Sequence, residues 1–251
     1  QLLQLAYMRP IVFILNLLVV FLSYGAYRFY KRQISLRFSF TQNDWFGSIA
    51  LNFMTKYNTA GIYDSLQRLD LRENSNLLEV CIGPGVGLEE ALRYQGVKVI
   101  GVDVSKDMVE LSSSKIAQHI QDGRAKVVLG DVHNLSFIES NSIDRIFHMN
   151  CCYFWEDVEQ ALKELLRVLK PGGKMLSAMK YRAIKKGNHD PAIFKNTDPE
   201  SYLKSLEKVG FVNIESSPVQ LQSGCTGINA KLGCPVSSRE DLMALTLVGG
   251  S

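Results

Sequence analysis

Residues 1–40 hold no aspartate or glutamate, while Arg9, Arg28, Lys31, Arg32 and Arg37 give that segment five positive charges. The whole chain of 251 residues carries only +3, so everything after the first forty is mildly acidic, at −2. That body has no basic stripe, which argues against a nucleic acid as an electrostatically bound partner. Low-complexity and disorder-prone stretches are missing as well. With 46% hydrophobic residues, the chain can bury one core of ordinary size and carry an appendage. The five cysteines, at 81, 151, 152, 225 and 234, offer no pair at zinc-ligand spacing, so no metal site is expected. An odd number of scattered cysteines in a chain this long reads as unpaired thiols in a reducing compartment.

Long apolar runs are rare, with one exception. Residues 11–27 read IVFILNLLVVFLSYGAY, with Asn16 and Ser23 as the side chains that resist lipid. A helix over this run would be about 25 Å long, the lower limit for crossing a bilayer. More positive charge follows the run than precedes it, which places the body in the cytosol if the segment spans. Tyr24, Tyr27, Phe29 and Tyr30 would suit a membrane interface. A cleaved signal peptide and a buried core helix are the competing readings. The expected organisation is a membrane anchor with a basic flank at 1–37, a helical cap or linker at 38–75, and the main domain at 76–251. Within the cap, short helices are expected near 45–57 and 61–69.

From residue 76 onward, apolar strand-like runs alternate with amphipathic stretches. Strands are expected at 77–82, 98–102, 126–129, 144–149, 174–179, 212–216 and 242–248, with helices near 87–95, 106–121, 156–169 and 199–209. This alternation predicts an α/β fold with a seven-stranded, mostly parallel sheet covered on both faces. Ligands bind such sheets at the carboxyl ends of the strands, where the strand order reverses.

The first strand runs into a glycine turn, LLEVCIGPGVG at 77–87. Its glycines at 83, 85 and 87 leave Leu88 where a dinucleotide fingerprint needs glycine, and no Gly-Lys-Ser or Gly-Lys-Thr closes it as a P-loop. What remains is a carboxylate, Glu79, followed by glycine at every second position. This pattern resembles motif I of the class I S-adenosylmethionine-dependent methyltransferases. The similarity continues through VIGVDVS around Asp103, VVLGDVHNL around Asp131, DRIFHMNCCYFW around Asn150, LLRVLKPGG at 165–173 and KSLEKVGFVNIES from Lys204. Together with NFMTKYNTAGIYDSLQRLDL upstream, it resembles the small-molecule branch named for its general methyltransferase domain.

The resemblance implies a Rossmann-like, doubly wound sheet, here preceded by an N-terminal apolar helix, and S-adenosylmethionine as cofactor. The implied cofactor residues are Glu79, Cys81, Gly83, Pro84, Gly85, Gly87, Asp103, Val104, Met108, Asp131, Val132 and Asn150. Asp103 would receive the ribose hydroxyls, and Asp131 and Val132 the adenine. Cys81 stands where the family usually has glycine, and its thiol would crowd the methionine arm. The acceptor should lie beside the end of strand four, at 150–155. Tyr153 is the expected polar contact there and His133 the candidate base. His148 reads as a core residue, and His119 and His189 as surface residues. The expected function is a membrane-associated methyltransferase acting on a small lipophilic molecule. The alternatives are methylation of a thiol or of arsenic(III) near Cys151, Cys152 and Cys225, or a non-catalytic protein that keeps the cofactor fold.

Overall fold

The computed structural model describes residues 2–39, 45–180, 184, 189–218 and 243–249. Cys225 and Cys234 lie outside the described residues. Two helices, α1 (Leu2–Ser39) and α2 (Trp45–Arg68), precede the sheet. Then follow β1 (Asn76–Val80), α3 (Val86–Ala91), β2 (Lys98–Asp103), α4 (Lys106–Lys115), α5 (Ala117–Gln121) and β3 (Ala125–Leu129). The second half holds β4 (Ile143–Met149), α6 (Val158–Val168), β5 (Leu169–Met179), α7 (Pro199–Val209), β6 (Phe211–Pro218) and β7 (Met243–Gly249).

The seven strands lie in the order β3-β2-β1-β4-β5-β7-β6. Strands β1 to β5 pair in parallel, and β7 runs antiparallel between β5 and β6. The chain winds outward from β1 to β3 and then crosses back to β4. The order therefore reverses between β1 and β4, and the crevice at their carboxyl ends is where such a sheet takes its ligand.

Side-chain alternation explains why both faces are covered. In β1, Leu77 enters one apolar cluster and Leu78 the other, and the same split separates Phe147 from Ile146 in β4 and Leu176 from Met175 in β5. One cluster is closed by α6 and α7, the other by α2 and α3. Helix α6 buries Ala161, Leu162, Leu165 and Val168, one stripe at helical spacing, and Asp157 caps it by accepting from the Gln160 N–H at 2.9 Å. Helix α7 starts on an Asp198 cap with Pro199 in its first turn and stops at Gly210, whose φ of 112° suits a residue without Cβ.

Three expectations change. The two short cap helices are one continuous helix, α2, because Gly61 is buried within it and tertiary packing offsets its weak helix propensity. The helix expected at 106–121 breaks into α4 and α5 at Ile116, whose buried side chain sits on a non-helical backbone. The third correction is the spanning segment. Helix α1 covers residues 11–27, but among the described residues no helix is long and apolar enough to cross a membrane. Residues 17–22 are nonetheless apolar and each 51% to 72% exposed, with Phe21 at 72%.

Leu165 is fully buried beneath α6. Leu165→Ala should cost about 2–5 kcal/mol, read as a lower urea midpoint with unchanged slope. A loss below about 1 kcal/mol would show that α6 does not carry this core.

Candidate active site

The carboxyl ends of β1, β2 and β4 open into a cavity of about 370 Å³. Glu79, the fourth residue of β1, is buried against the floor. Its Oε2 has no hydrogen-bond partner among the described residues. Burial first, and then the nearby Asp103 carboxylate, push Glu79 up to about 8. Gly87 is glycine for this reason: a Cβ there would collide with the Glu79 carboxylate. Gly85, at φ 73°, meets α4 so closely that a Cβ would sit 2.6 Å from Ser112 Cβ.

Asp103 closes β2 and is nearly buried. Its Oδ2 accepts from the Gly83 N–H at 3.0 Å and its Oδ1 from the Ser105 N–H at 2.9 Å. Burial raises its pKa, and those amides oppose the rise. Pro84, Val104, Met108 and Val132 join the same wall, Met108 and Val132 as buried apolar contacts. Asp131 stands at the rim, with its side chain 57% exposed. Burial works against its charge, yet the His133 N–H and ring hold it below the usual carboxylate range.

Asn150 lies at the end of β4 with φ 52°, a left-handed backbone that asparagine tolerates. Its Oδ1 accepts from the Tyr153 hydroxyl at 3.1 Å and from the Lys180 N–H at 3.0 Å, and its Nδ2 donates to Asn58 Oδ1 at 3.1 Å. Lys180 Nζ donates to the Tyr57 carbonyl at 2.5 Å and to Asn58 Oδ1 at 3.1 Å. This network ties α2 to the ends of β4 and β5. Sequence reasoning placed Asn58 in the upstream stretch without a role and missed Lys180, which stands in no motif.

Both expected acceptor-side groups are engaged elsewhere. The Tyr153 ring forms part of the wall, but its hydroxyl bonds Asn150 and also accepts from the Lys180 N–H at 2.8 Å. It is a positioning residue. His133 binds Asp131 through Nδ1 at 2.5 Å and accepts the Asp157 N–H at Nε2, 3.2 Å away, so both ring nitrogens are occupied. His148 is the expected core residue: Ser177 Oγ lies 2.7 Å and Tyr202 OH 3.1 Å from Nε2, and burial lowers its pKa to about 3. His189, read from the sequence as a surface residue, is half-buried on the cavity wall instead.

The cysteine reading also changes. Cys81 and Cys151 are joined by a disulfide between Cα atoms 6.0 Å apart, so neither is the unpaired thiol expected from scattered cysteines. Cys81 adopts φ 56° at the family's usual glycine position, and its sulfur reaches across to the end of β4. Cys152 lies outside this disulfide and is buried, its Sγ 2.9 Å from Met179 Sδ. A thiol-rich acceptor site built on Cys151 and Cys152 is therefore not assembled here.

These residues fit S-adenosylmethionine. The orphaned Glu79 oxygen asks for a cationic or hydrogen-bond donor, Asp103 has acceptor capacity beyond its two amides, and the glycine turn leaves the approach open. Residues 78–177 match the family described as Methyltransferase domain. A sterol 4-C-methyltransferase of Caenorhabditis elegans is 27% identical over 70% of this chain and 49% of its own. A demethylmenaquinone methyltransferase of Oceanobacillus iheyensis is 34% identical over 45% of this chain and 48% of its own. The chain thus spans about half the length of these two curated relatives. A phosphoethanolamine N-methyltransferase 2 of Haemonchus contortus, solved with phosphomonomethylethanolamine and S-adenosylhomocysteine, superposes with a TM-score of 0.56 at 19% identity, over 80% of this chain and 60% of that one.

Glu79 gives the ligand-free chain a pH dependence. Its folded pKa near 8 lies above the ordinary 4.5, so its contribution to stability is complete below pH 4.5 and is lost as pH rises through 8. The thermal midpoint of the parent should fall between pH 5 and pH 8 by roughly 5 °C more than that of Glu79→Gln. Parallel profiles for the two proteins would contradict the buried, protonated carboxyl.

Proposed function

We propose that this chain is a class I S-adenosylmethionine-dependent methyltransferase and that it methylates a small, lipophilic acceptor at a membrane surface. The observation that carries the reading is one cavity with two unlike halves. The donor half holds Glu79, Asp103 and the glycine turn; the acceptor half is walled by Met54, Ile62, Phe154, Ile184 and Phe194. When bound, the cofactor supplies a methyl group on a sulfonium, an electrophile with a good leaving group. The chain's own task is alignment and exclusion of water. Asn150 and Tyr153 hold the end of β4 in place, and the bonds from Asn58 to Asn150 and Lys180 bring α2 over the mouth.

The apolar lining supports a lipophilic acceptor, as do relatives named for sterol and demethylmenaquinone methylation. Helix α1 supports the membrane surface. Residues 17–22 are bare around the whole helix circumference, and Arg28, Lys31 and Arg32 follow them. Such a stretch inserts part-way among acyl chains while its basic flank meets anionic headgroups.

Calorimetry should detect S-adenosylmethionine binding to the full chain. Asp103→Ala should weaken it roughly 30- to 100-fold, the value of charge-assisted hydrogen bonds worth about 2–3 kcal/mol. Equal binding by the variant would remove Asp103 from the cofactor site. The chain should also sediment with vesicles of phosphatidylcholine and phosphatidylserine. A variant carrying Leu18→Ser, Val20→Ser and Phe21→Ser should stay largely in the supernatant, and its undiminished sedimentation would sink the membrane reading.

A further inference from the structure

With Tyr153 and His133 engaged, the acceptor half still needs a group to take a proton. We infer that His189 is the general base there, and that the acceptor is a flat molecule bearing an acidic hydroxyl of the phenol or enol type. This rests on the methyl-transfer reading above.

Location comes first. His189 lines the cavity and stacks on Phe194 with ring centroids 4.3 Å apart and planes 28° from parallel. Phe194 in turn meets Phe154 at 4.8 Å and Tyr153 at 6.1 Å. The result is a slot of aromatic faces and edges, complementary to another flat ring. His189 is also held in place. The N–H of the adjacent Asp190 donates to the buried Ser35 Oγ of α1 at 3.1 Å, and the Lys195 N–H donates to the Tyr153 carbonyl at 2.8 Å.

Availability comes second. Among the described residues, neither ring nitrogen of His189 has a hydrogen-bond partner, in contrast to His133. Burial, and then the charge of Lys31, hold its pKa below the ordinary value, so the imidazole on the cavity wall is neutral at pH 7.

Charge selects the acceptor. Lys31 on α1 acts on His189, Lys180 at the end of β5 lines the same cavity, and of the nearby carboxylates Glu156 is bound to Lys195 at 2.5 Å and the adjacent Asp190 accepts from the Ala192 N–H at 3.0 Å. Two cations beside a neutral base repel an amine that enters as ammonium. They favour a group that turns negative as it loses its proton. In the step, the hydroxyl proton passes to a His189 nitrogen and the oxygen lone pair forms a bond to the donated methyl carbon. The carbon–sulfur bond breaks with its electron pair left on sulfur, and the imidazolium later returns its proton to solvent.

The test uses the full chain saturated with S-adenosylhomocysteine and a para-nitrophenol bearing an alkyl chain, whose neutral and ionised forms absorb at different wavelengths. At a pH about one unit below the phenol's own pKa, the ionised band should appear on binding. His189→Gln should reduce that ionised fraction roughly tenfold and Lys180→Met should reduce it as well, while calorimetry shows S-adenosylhomocysteine bound as in the parent. With S-adenosylmethionine and a para-alkylphenol, turnover by the parent should show an acidic limb that His189→Gln lacks. Absence of the ionised band in the parent, or an equal band in His189→Gln, overturns the inference while leaving the cofactor reading intact. Failure of the parent to bind S-adenosylhomocysteine would instead overturn the methyl-transfer reading, and this inference with it.

Discussion

Two carboxylates, Glu79 and Asp103, are buried side by side at the carboxyl ends of β1 and β2, and much of the surrounding chain is arranged to tolerate them. Burying one carboxylate is costly and burying two together costs more, because each raises the other's affinity for a proton. The structure divides the burden. Asp103 keeps backbone amides on both oxygens, whereas Glu79 is left with an unpartnered oxygen and a pKa near 8. Gly87 must lack a side chain because of where the Glu79 carboxylate lies, and Gly83 must turn its N–H inward toward Asp103. A cofactor that brings donors and positive charge converts this liability into binding energy.

The acceptor half is governed differently. Few of its residues belong to the parallel sheet; they come from α2, from the segment after β4, and from the stretch around His189. Asn58, Asn150 and Lys180 join these pieces by hydrogen bonds between side chains and strand ends, so the cap and the sheet define one cavity. Helix α1 takes part as well, through Ser35 and Lys31, and the same helix carries the bare apolar residues 17–22. The donor half is the common property of the fold, and the acceptor half is where one member differs from another.

The seven strands were legible because a sheet covered on both faces leaves continuous apolar runs punctuated by turns. The donor half was legible because glycines and carboxylates at fixed offsets serve a local geometry. The rest depended on distant pieces meeting. Gly61 looked like a break until packing against the sheet showed that α2 passes straight through it. His189 stood among polar residues and looked exposed, but its ring stacks on Phe194, and the neighbouring Asp190 is bonded to a residue 155 positions earlier. Lys180 follows a strand with no motif to mark it.

Cys81 illustrates the boundary. The sequence by itself determined that a thiol stands where the resembled family usually has glycine, that the turn resembles that family's cofactor motif, and that the body is an α/β sheet, because each of these is carried by local pattern. Only the tertiary structure decided where that thiol goes. Parallel pairing of β1 with β4 brings Cys151, 70 residues away, within bonding reach, and turns the Cys81 sulfur to it. The same closing of distant segments decided that Tyr153 and His133 are spent on structure and that His189 faces the cavity, since hydrogen-bond partners are fixed by folding and not by sequence neighbours.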